Sequence, residues 1–195
     1  MRKDPDFDLV RRCQSGERDA AETSFEELFK KYRDRVFNLA SRLLGDHAYA
    51  EDVSQEAFVT VFRKIGEFRF SSRFYTWLYR VAYNLCMDHR RRPRDPVVSS
   101  LSAGEDGRGD TFESLADPET GPLEALAEGE YRTAVVERAL RGLSRPLRVV
   151  VILRYMEDLQ YSEIAEVLEC SVGTVKSRLS RAHHFLQETL APPEP

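Results

Sequence analysis

Residues 159–190 read LQYSEIAEVLECSVGTVKSRLSRAHHFLQETL, and their pattern indicates the class of fold. Its apolar residues return every three or four positions, which is the period of an amphipathic helix. The pattern breaks at Glu169–Cys170, so the stretch predicts two helices joined by a short turn, with Ser171 as the N-cap of the second. Two helices joined in this way form a helix-turn-helix.

The last helix of this stretch has two unlike faces. A recognition helix in the major groove of DNA needs small residues for close approach and donors for bases and phosphates. One face is an apolar stripe of Val172, Val175, Leu179, Ala182 and Leu186. The opposite face has no acid and contains Gly173, Lys176, Ser177, Ser180, Arg181 and His184. The pattern therefore favours DNA binding, with a purely structural three-helix unit as the alternative.

The rest of the chain also has helical periodicity, without a sustained alternating pattern typical of strands. Ser24 is a plausible N-cap for a helix that ends near Gly45. A second helix is expected at 49–65, and a third begins near Arg73. Two further helices precede the helix-turn-helix, at 131–143 and from Pro146 to Met156.

The predicted class is all-α, with two small helical domains joined by a flexible acidic linker. The expected bounds are 8–92 and 129–190 for the domains and 93–128 for the linker. Between Pro93 and Glu130 the chain has ten acidic and two basic residues and is rich in Pro, Gly and Ser. The net charge of the whole chain is only −4, so the remaining residues are net positive. Local positive charge is what phosphate binding requires.

Composition argues against several classes of protein. Hydrophobic residues make up 42% of the chain, but no run approaches the roughly 20 apolar residues that cross a bilayer. The N-terminus lacks the apolar core of a secretory signal, so we expect a cytoplasmic protein without membrane insertion. Three separated cysteines predict neither a disulfide framework nor a zinc site. We expect no catalytic residue set, no metal and no cofactor.

A second informative stretch is 68–92, FRFSSRFYTWLYRVAYNLCMDHRRR, with seven aromatic residues, six arginines and a single acid. Aromatic rings can stack on unpaired bases, and arginines between them can meet phosphates, so the pattern favours binding of single-stranded nucleic acid. The alternative is a well-packed amphipathic helix whose arginines reach into solvent.

Both helical blocks resemble one family, the extracytoplasmic-function (ECF) group of bacterial RNA polymerase sigma factors. EDVSQEAF at 51–58 resembles the segment that binds the β′ coiled coil of the polymerase. FRFSSRFYTWLYRVAYNL at 68–85 is similar to the part that opens and reads the minus-ten element. Residues 143–182 resemble the domain that reads the minus-thirty-five element and contacts the β flap.

The resemblance implies an alternative sigma factor that binds RNA polymerase core and directs promoter-specific initiation. Its expected partners are the core enzyme, promoter DNA and an anti-sigma factor. Polymerase binding is expected from Asp52, Gln55, Glu56 and Phe58, with Phe58 nearer the core side. Minus-ten contacts are expected from Phe68, Phe70, Phe74, Trp77, Arg80 and Asn84, although Trp77 suits a core position equally well. Minus-thirty-five contacts are expected from Thr174, Lys176, Ser177, Ser180 and Arg181.

Two residues depart from the family pattern. Glu169 stands in the turn of the helix-turn-helix, where relatives often have Gly, and a left-handed backbone there would strain a residue with a side chain. Phe70 stands where relatives commonly have Gly in the base-reading loop, which leaves the preferred minus-ten base undecided.

Two other classes of protein remain as alternatives. A stand-alone helix-turn-helix regulator would bind duplex DNA without polymerase. An adaptor that binds polymerase but no promoter would tolerate mutation of Lys176 and Arg181.

Overall fold

The protein is described by a computed structural model that covers residues 4–91 and 128–190, with side chains in the second range from residue 134. Every regular element in these ranges is helical, which confirms the all-α class. The linker predicted at 93–128 lies outside the described residues, except that Glu128 begins a helix. The helices are α1 Phe7–Cys13, α2 Arg18–Leu44, α3 His47–Lys64, α4 Phe74–Arg91, α5 Glu128–Gly142, α6 Arg145–Val151, α7 Tyr161–Val167 and α8 Val172–Leu190.

The first helical unit, α1 to α4, is built around the long helix α2. Residues at steps of three or four along α2 are fully buried, and they pack against α1, α3 and α4. These include Leu28, Val36, Leu39 and Leu43. A seven-residue helix such as α1 is marginal by itself, so packing against α2 must hold it in place.

The ends of α2 show one wrong and one confirmed prediction. The helix begins at Arg18, and Ser24 is buried within it, so the prediction of Ser24 as N-cap is wrong. Gly45 ends the helix as predicted, with φ +71° and its N–H donating to the carbonyl of Ser41. Asp46 then caps α3 by accepting from the N–H of Tyr49 at 3.2 Å.

The second unit, α5 to α8, contains the predicted helix-turn-helix. Pro146 lies in the first turn of α6, where its missing N–H costs nothing. A π-helical turn, Ile152–Met156, continues from α6. A capping box between Gln160 and Glu163 starts α7, and Ser171 caps α8 by accepting from the N–H of Thr174 at 3.0 Å.

The turn between α7 and α8 carries backbone strain. Glu169 has φ +50°. This is the left-handed conformation expected at a position where relatives often have glycine. Replacing Glu169 with glycine should raise the free energy of unfolding by about 0.5–1 kcal/mol, because the steric penalty of a β-carbon is removed while some unfolded-state entropy is gained. Urea denaturation of Glu169→Gly beside Glu169→Ala measures this. Alanine keeps the β-carbon, so an equal gain in both variants would contradict the explanation.

The two units pack against each other through buried acids. Glu157, at the end of the π-helical turn, has a side chain only 4% exposed. It accepts from Arg35 Nε at 2.8 Å and from the hydroxyl of Tyr79, both in the first unit. Burial and the neighbouring carboxylate raise the pKa of Tyr79. Farther along the interface, Arg42 Nε lies 2.9 Å from Glu137.

Candidate nucleic-acid and polymerase interface

The outward face of α8 is the clearest candidate for contact with duplex DNA. Val175, Leu179 and Ala182 are buried, which fixes the rotation of the helix. Val172 is 40% exposed, so the apolar stripe is shorter than predicted. The side chains opposite the stripe are exposed, namely those of Lys176, Ser177, Ser180, Arg181 and His184.

Thr174 has a different environment from the other residues predicted on this face. It is half-buried, and its hydroxyl lies 2.9 Å from Ser171 Oγ, while its carbonyl accepts from the hydroxyl of Ser177 at 3.0 Å. Lys176 and Arg181 are in no ion pair with the described part of the chain. These two cations are therefore available to an external anion.

The aromatic residues before and within α4 form a packed cluster. Phe74 is fully buried and Phe68 is 8% exposed, so neither presents a free ring to a base in this arrangement. Both side chains lie beneath the loop, and a direct contact of either with DNA stays a prediction. Trp77 is half-buried and stacks on Phe68, with ring centroids 5.0 Å apart and planes at 26°. One face of its indole is thus occupied by the protein.

Phe70 is the central residue of the loop between α3 and α4. Its φ is +57°, so the backbone adopts the conformation for which glycine is favoured. Its half-buried ring lies 4.8 Å from that of Phe7 and 5.0 Å from that of Phe68. These ring contacts stabilise a backbone conformation that is strained for phenylalanine. Arg69 and Ser71, on either side, are exposed.

The outer part of α4 combines polar and basic side chains. Asn84 is exposed and Arg80 is half-buried, so both are accessible to solvent. Arg80 lies near Glu166 of α7, and its charge opposes the effect of burial and of Glu163, which together raise the pKa of Glu166.

Two residues that the sequence analysis did not predict as site residues, Arg73 and Tyr75, make contacts at the start of α4. Tyr75 donates to Glu163 Oε1 at 2.6 Å, and the guanidinium of Arg73 lies 3.2 Å from the same oxygen. Burial and then the carboxylate raise the pKa of Tyr75 to about 12. The start of α4 therefore faces α7 of the second unit.

The exposed face of α3 is the candidate surface for a protein partner. Asp52, Gln55 and Glu56 are exposed as predicted, while Phe58 is buried against the ring of Phe29. This burial agrees with its expected place near the core and leaves little of it for a partner. Val59 and Phe62 continue the exposed row at helical spacing and are 47% and 53% exposed.

The cysteines are free thiols in the structure. Burial raises the pKa of Cys86 to about 12 and that of Cys13 to about 11. Both are thus protonated near neutral pH, and neither is a nucleophile there.

Comparison with known proteins matches both helical units to one family. The family model for sigma-70 region 2 matches residues 28–95, which include α3, the aromatic loop and α4. The model for sigma-70 region 4 matches residues 133–183, which include the helix-turn-helix.

Relatives match almost the whole chain. It is 38% identical to the RNA polymerase sigma-H factor of Pseudomonas aeruginosa, over 98% of this chain and 97% of the relative. It is 35% identical to the ECF RNA polymerase sigma-E factor of Escherichia coli K12, over 94% and 93%. The fold is similar to that of the sigma factor RpoE in a complex with the anti-sigma factor NepR from Bartonella quintana, with a TM-score of 0.63 and 23% identity, over 87% of this chain and 98% of that one.

The chain belongs to the sigma-70 family of bacterial RNA polymerase sigma factors, and within it to the ECF group. It is an alternative sigma factor that directs promoter-specific transcription initiation, so the stand-alone regulator is not favoured. In the described ranges, no helix combines the length and apolar character needed to cross a membrane.

Proposed function

We propose that residues 8–92 bind the polymerase core and read the minus-ten element, that residues 129–190 read the minus-thirty-five element, and that residues 93–128 link the two. The proposal rests on the presence of two exposed surfaces in one chain. One is the acid-free face of α8, and the other is the acidic and apolar row on α3. The first suits DNA and the second suits a protein surface that offers basic and apolar groups.

The polymerase contact is proposed for the α3 row. Asp52 and Glu56 supply charge, Gln55 supplies an amide, and Val59 and Phe62 supply exposed apolar area beside them. Exposed aromatic residues on a helix commonly mark a contact with another protein. The β′ coiled coil of the core is the partner we propose for this row.

Charge reversal at Asp52 tests this contact. Asp52→Arg should weaken binding to core polymerase at least tenfold, because a pair of opposite charges becomes a pair of like charges at the contact. Asp34→Arg, a reversal at an exposed position of α2, should leave the affinity within about twofold of the wild type. Binding of the fluorescently labelled chain to core enzyme gives both affinities. Equal affinity of the Asp52 variant and the wild type would remove α3 from the interface.

The minus-ten contact is proposed for the loop after α3 and the accessible side of α4. Phe70 and Trp77 are half-buried aromatic residues there, and Arg80 and Asn84 supply a cation and an amide. Phe68 and Phe74 support these residues from below. Stacking on an aromatic ring returns about 1–3 kcal/mol per base, which offsets much of the cost of unstacking a base step. Capture of opened DNA thus needs no catalytic chemistry from this chain.

The minus-thirty-five contact is proposed for Lys176, Ser177, Ser180 and Arg181, with Thr174 holding the start of α8. Cations on a recognition helix bind phosphates or the edge of guanine, and hydroxyls donate to either.

The cellular setting follows from the same proposal. The sigma factor RpoE of Bartonella quintana, whose fold is similar, was solved in a complex with an anti-sigma factor. We propose a partner of that kind for this chain. Since the polymerase and the promoter are the expected partners, we propose a cytoplasmic location.

A further inference from the structure

The loop between α3 and α4 is tied to the N-terminal segment at three places. The side-chain amide of Gln14 donates to the carbonyl of Ile65 at 2.8 Å and to that of Phe68 at 2.9 Å. These two carbonyls lie more than 50 residues away along the chain. The side-chain amide of Gln14 thus fixes the backbone at the beginning of the loop.

The end of the loop is tied by Asp4. Its Oδ2 accepts from the N–H of Phe74 at 2.8 Å, so the first turn of α4 is capped by a residue from the other end of the unit. Its Oδ1 accepts from the N–H of Asp6 at 3.0 Å. Asp6 is fully buried and pairs with Lys31 and Tyr32 of α2. The cap on α4 is therefore anchored in the core.

The middle of the loop is held by ring contact. Phe7, the first residue of α1, packs on Phe70, which has the strained left-handed backbone. Because the rings of Phe7 and Phe70 are in contact, a movement of α1 should shift the ring of Phe70. Arg69 and Ser71, which precede and follow Phe70 in the sequence, are exposed.

From these contacts we infer that α1 and its flanking residues set base selection at the minus-ten element, with Gln14, Phe7 and Asp4 as positioning residues for the loop. The inference rests on the proposed role of the loop in reading that element. The three residues lie beneath the loop and act through Phe68, Phe70 and Phe74, without contact to DNA. A loop held at its start, middle and end has one shape, and a single shape discriminates among bases better than several.

The test measures discrimination among minus-ten bases separately from the overall transcription output. Run-off transcription with core polymerase is compared on four templates that share a minus-thirty-five element and differ in one minus-ten base. Gln14→Met keeps the approximate size of the side chain but removes both donors. It should reduce the ratio between the best and worst template by roughly fivefold, as expected for the loss of a hydrogen-bonded tie. Core affinity and output from the best template should change less than about twofold.

A second variant and a matched control accompany it. Phe7→Leu keeps an apolar side chain at the ring contact and should also lower discrimination. Arg12→Met alters an exposed residue of the same helix that does not contact the loop, and it should keep the wild-type ratio. Melting temperatures verify that all three variants are folded under the assay conditions.

Three results would overturn the inference. Unchanged discrimination among the minus-ten bases in both Gln14→Met and Phe7→Leu would show that α1 supports stability alone. An equal loss of output on all templates would show the same. A wild-type chain that starts transcription without discrimination at this base would instead remove the loop from minus-ten reading, and the inference would fail with that proposed role.

Discussion

Replacing Glu157 with alanine is expected to lower the free energy of unfolding by about 3 kcal/mol and to loosen the contact between the two helical units. The carboxylate is almost fully buried and holds Arg35 and Tyr79 from the other unit. Without it, the hydroxyl of Tyr79 stays buried with one partner fewer. Arg35 is 42% exposed and regains part of its hydration, which places the effect at the lower end for a broken buried pair.

Two measurements check this expectation, with a matched control. Urea denaturation gives the change in stability, and small-angle scattering should show a larger radius of gyration in Glu157→Ala than in the wild type. Asp158→Asn removes the next carboxylate, which is 98% exposed and sits at a left-handed position that asparagine tolerates. It should change neither quantity. Wild-type stability and dimensions in the Glu157 variant would mean that the buried carboxylate does not hold the units together.

The contact between the units matters for function because it covers part of α4. Arg73 and Tyr75 at the start of that helix bind Glu163 of α7, so an external phosphate or base must displace this acid to reach them. If the minus-ten element binds this end of α4, as we propose for the helix, the contacts with Glu163 must open first.

Charge reversal at Lys176 is expected to reduce transcription from a template that depends on its minus-thirty-five element at least tenfold. A contact to a phosphate or a base edge is worth about 1–3 kcal/mol, and a glutamate there also repels the DNA. Lys176 is exposed and in no ion pair within the described ranges, so the substitution should leave the fold intact.

The control for Lys176→Glu is Arg138→Glu, a reversal at an exposed position of α5 in the same unit. Run-off assays should show near wild-type transcription for Arg138→Glu, and both variants should bind core polymerase like the wild type. Full activity of Lys176→Glu on this template would remove α8 from minus-thirty-five recognition and would favour an adaptor that does not read the promoter.

The helix-turn-helix and the long helices could be predicted because their apolar residues repeat over many turns. The left-handed turn at Glu169 was also accessible, since a position commonly filled by glycine indicates backbone strain. Helix α1 was missed because seven residues are too few to show a helical period. Ser24 was misread as a cap because a serine followed by Glu27 looks the same inside a helix as at its start.

The aromatic stretch shows why the site was only partly predictable. Rings that stack on bases and rings that stack on one another leave the same pattern in a sequence, and only the structure shows Phe74 buried and Trp77 covered on one face. The acid Glu157 gave no signal either. Its segment reads as a solvated helix end, and its two partners in the first unit are 78 and 122 residues away along the chain.

Promoter-specific run-off transcription by the purified chain with bacterial core polymerase tests whether the chain acts as a sigma factor through the two surfaces proposed for it. Templates selected from genomic fragments should be transcribed from defined start sites only when both the chain and the core are present. Asp52→Arg and Lys176→Glu should each strongly reduce these products, the first by weakening binding to the core and the second by weakening binding to the DNA. Binding to duplex DNA without core, together with no transcription in its presence, would contradict the account.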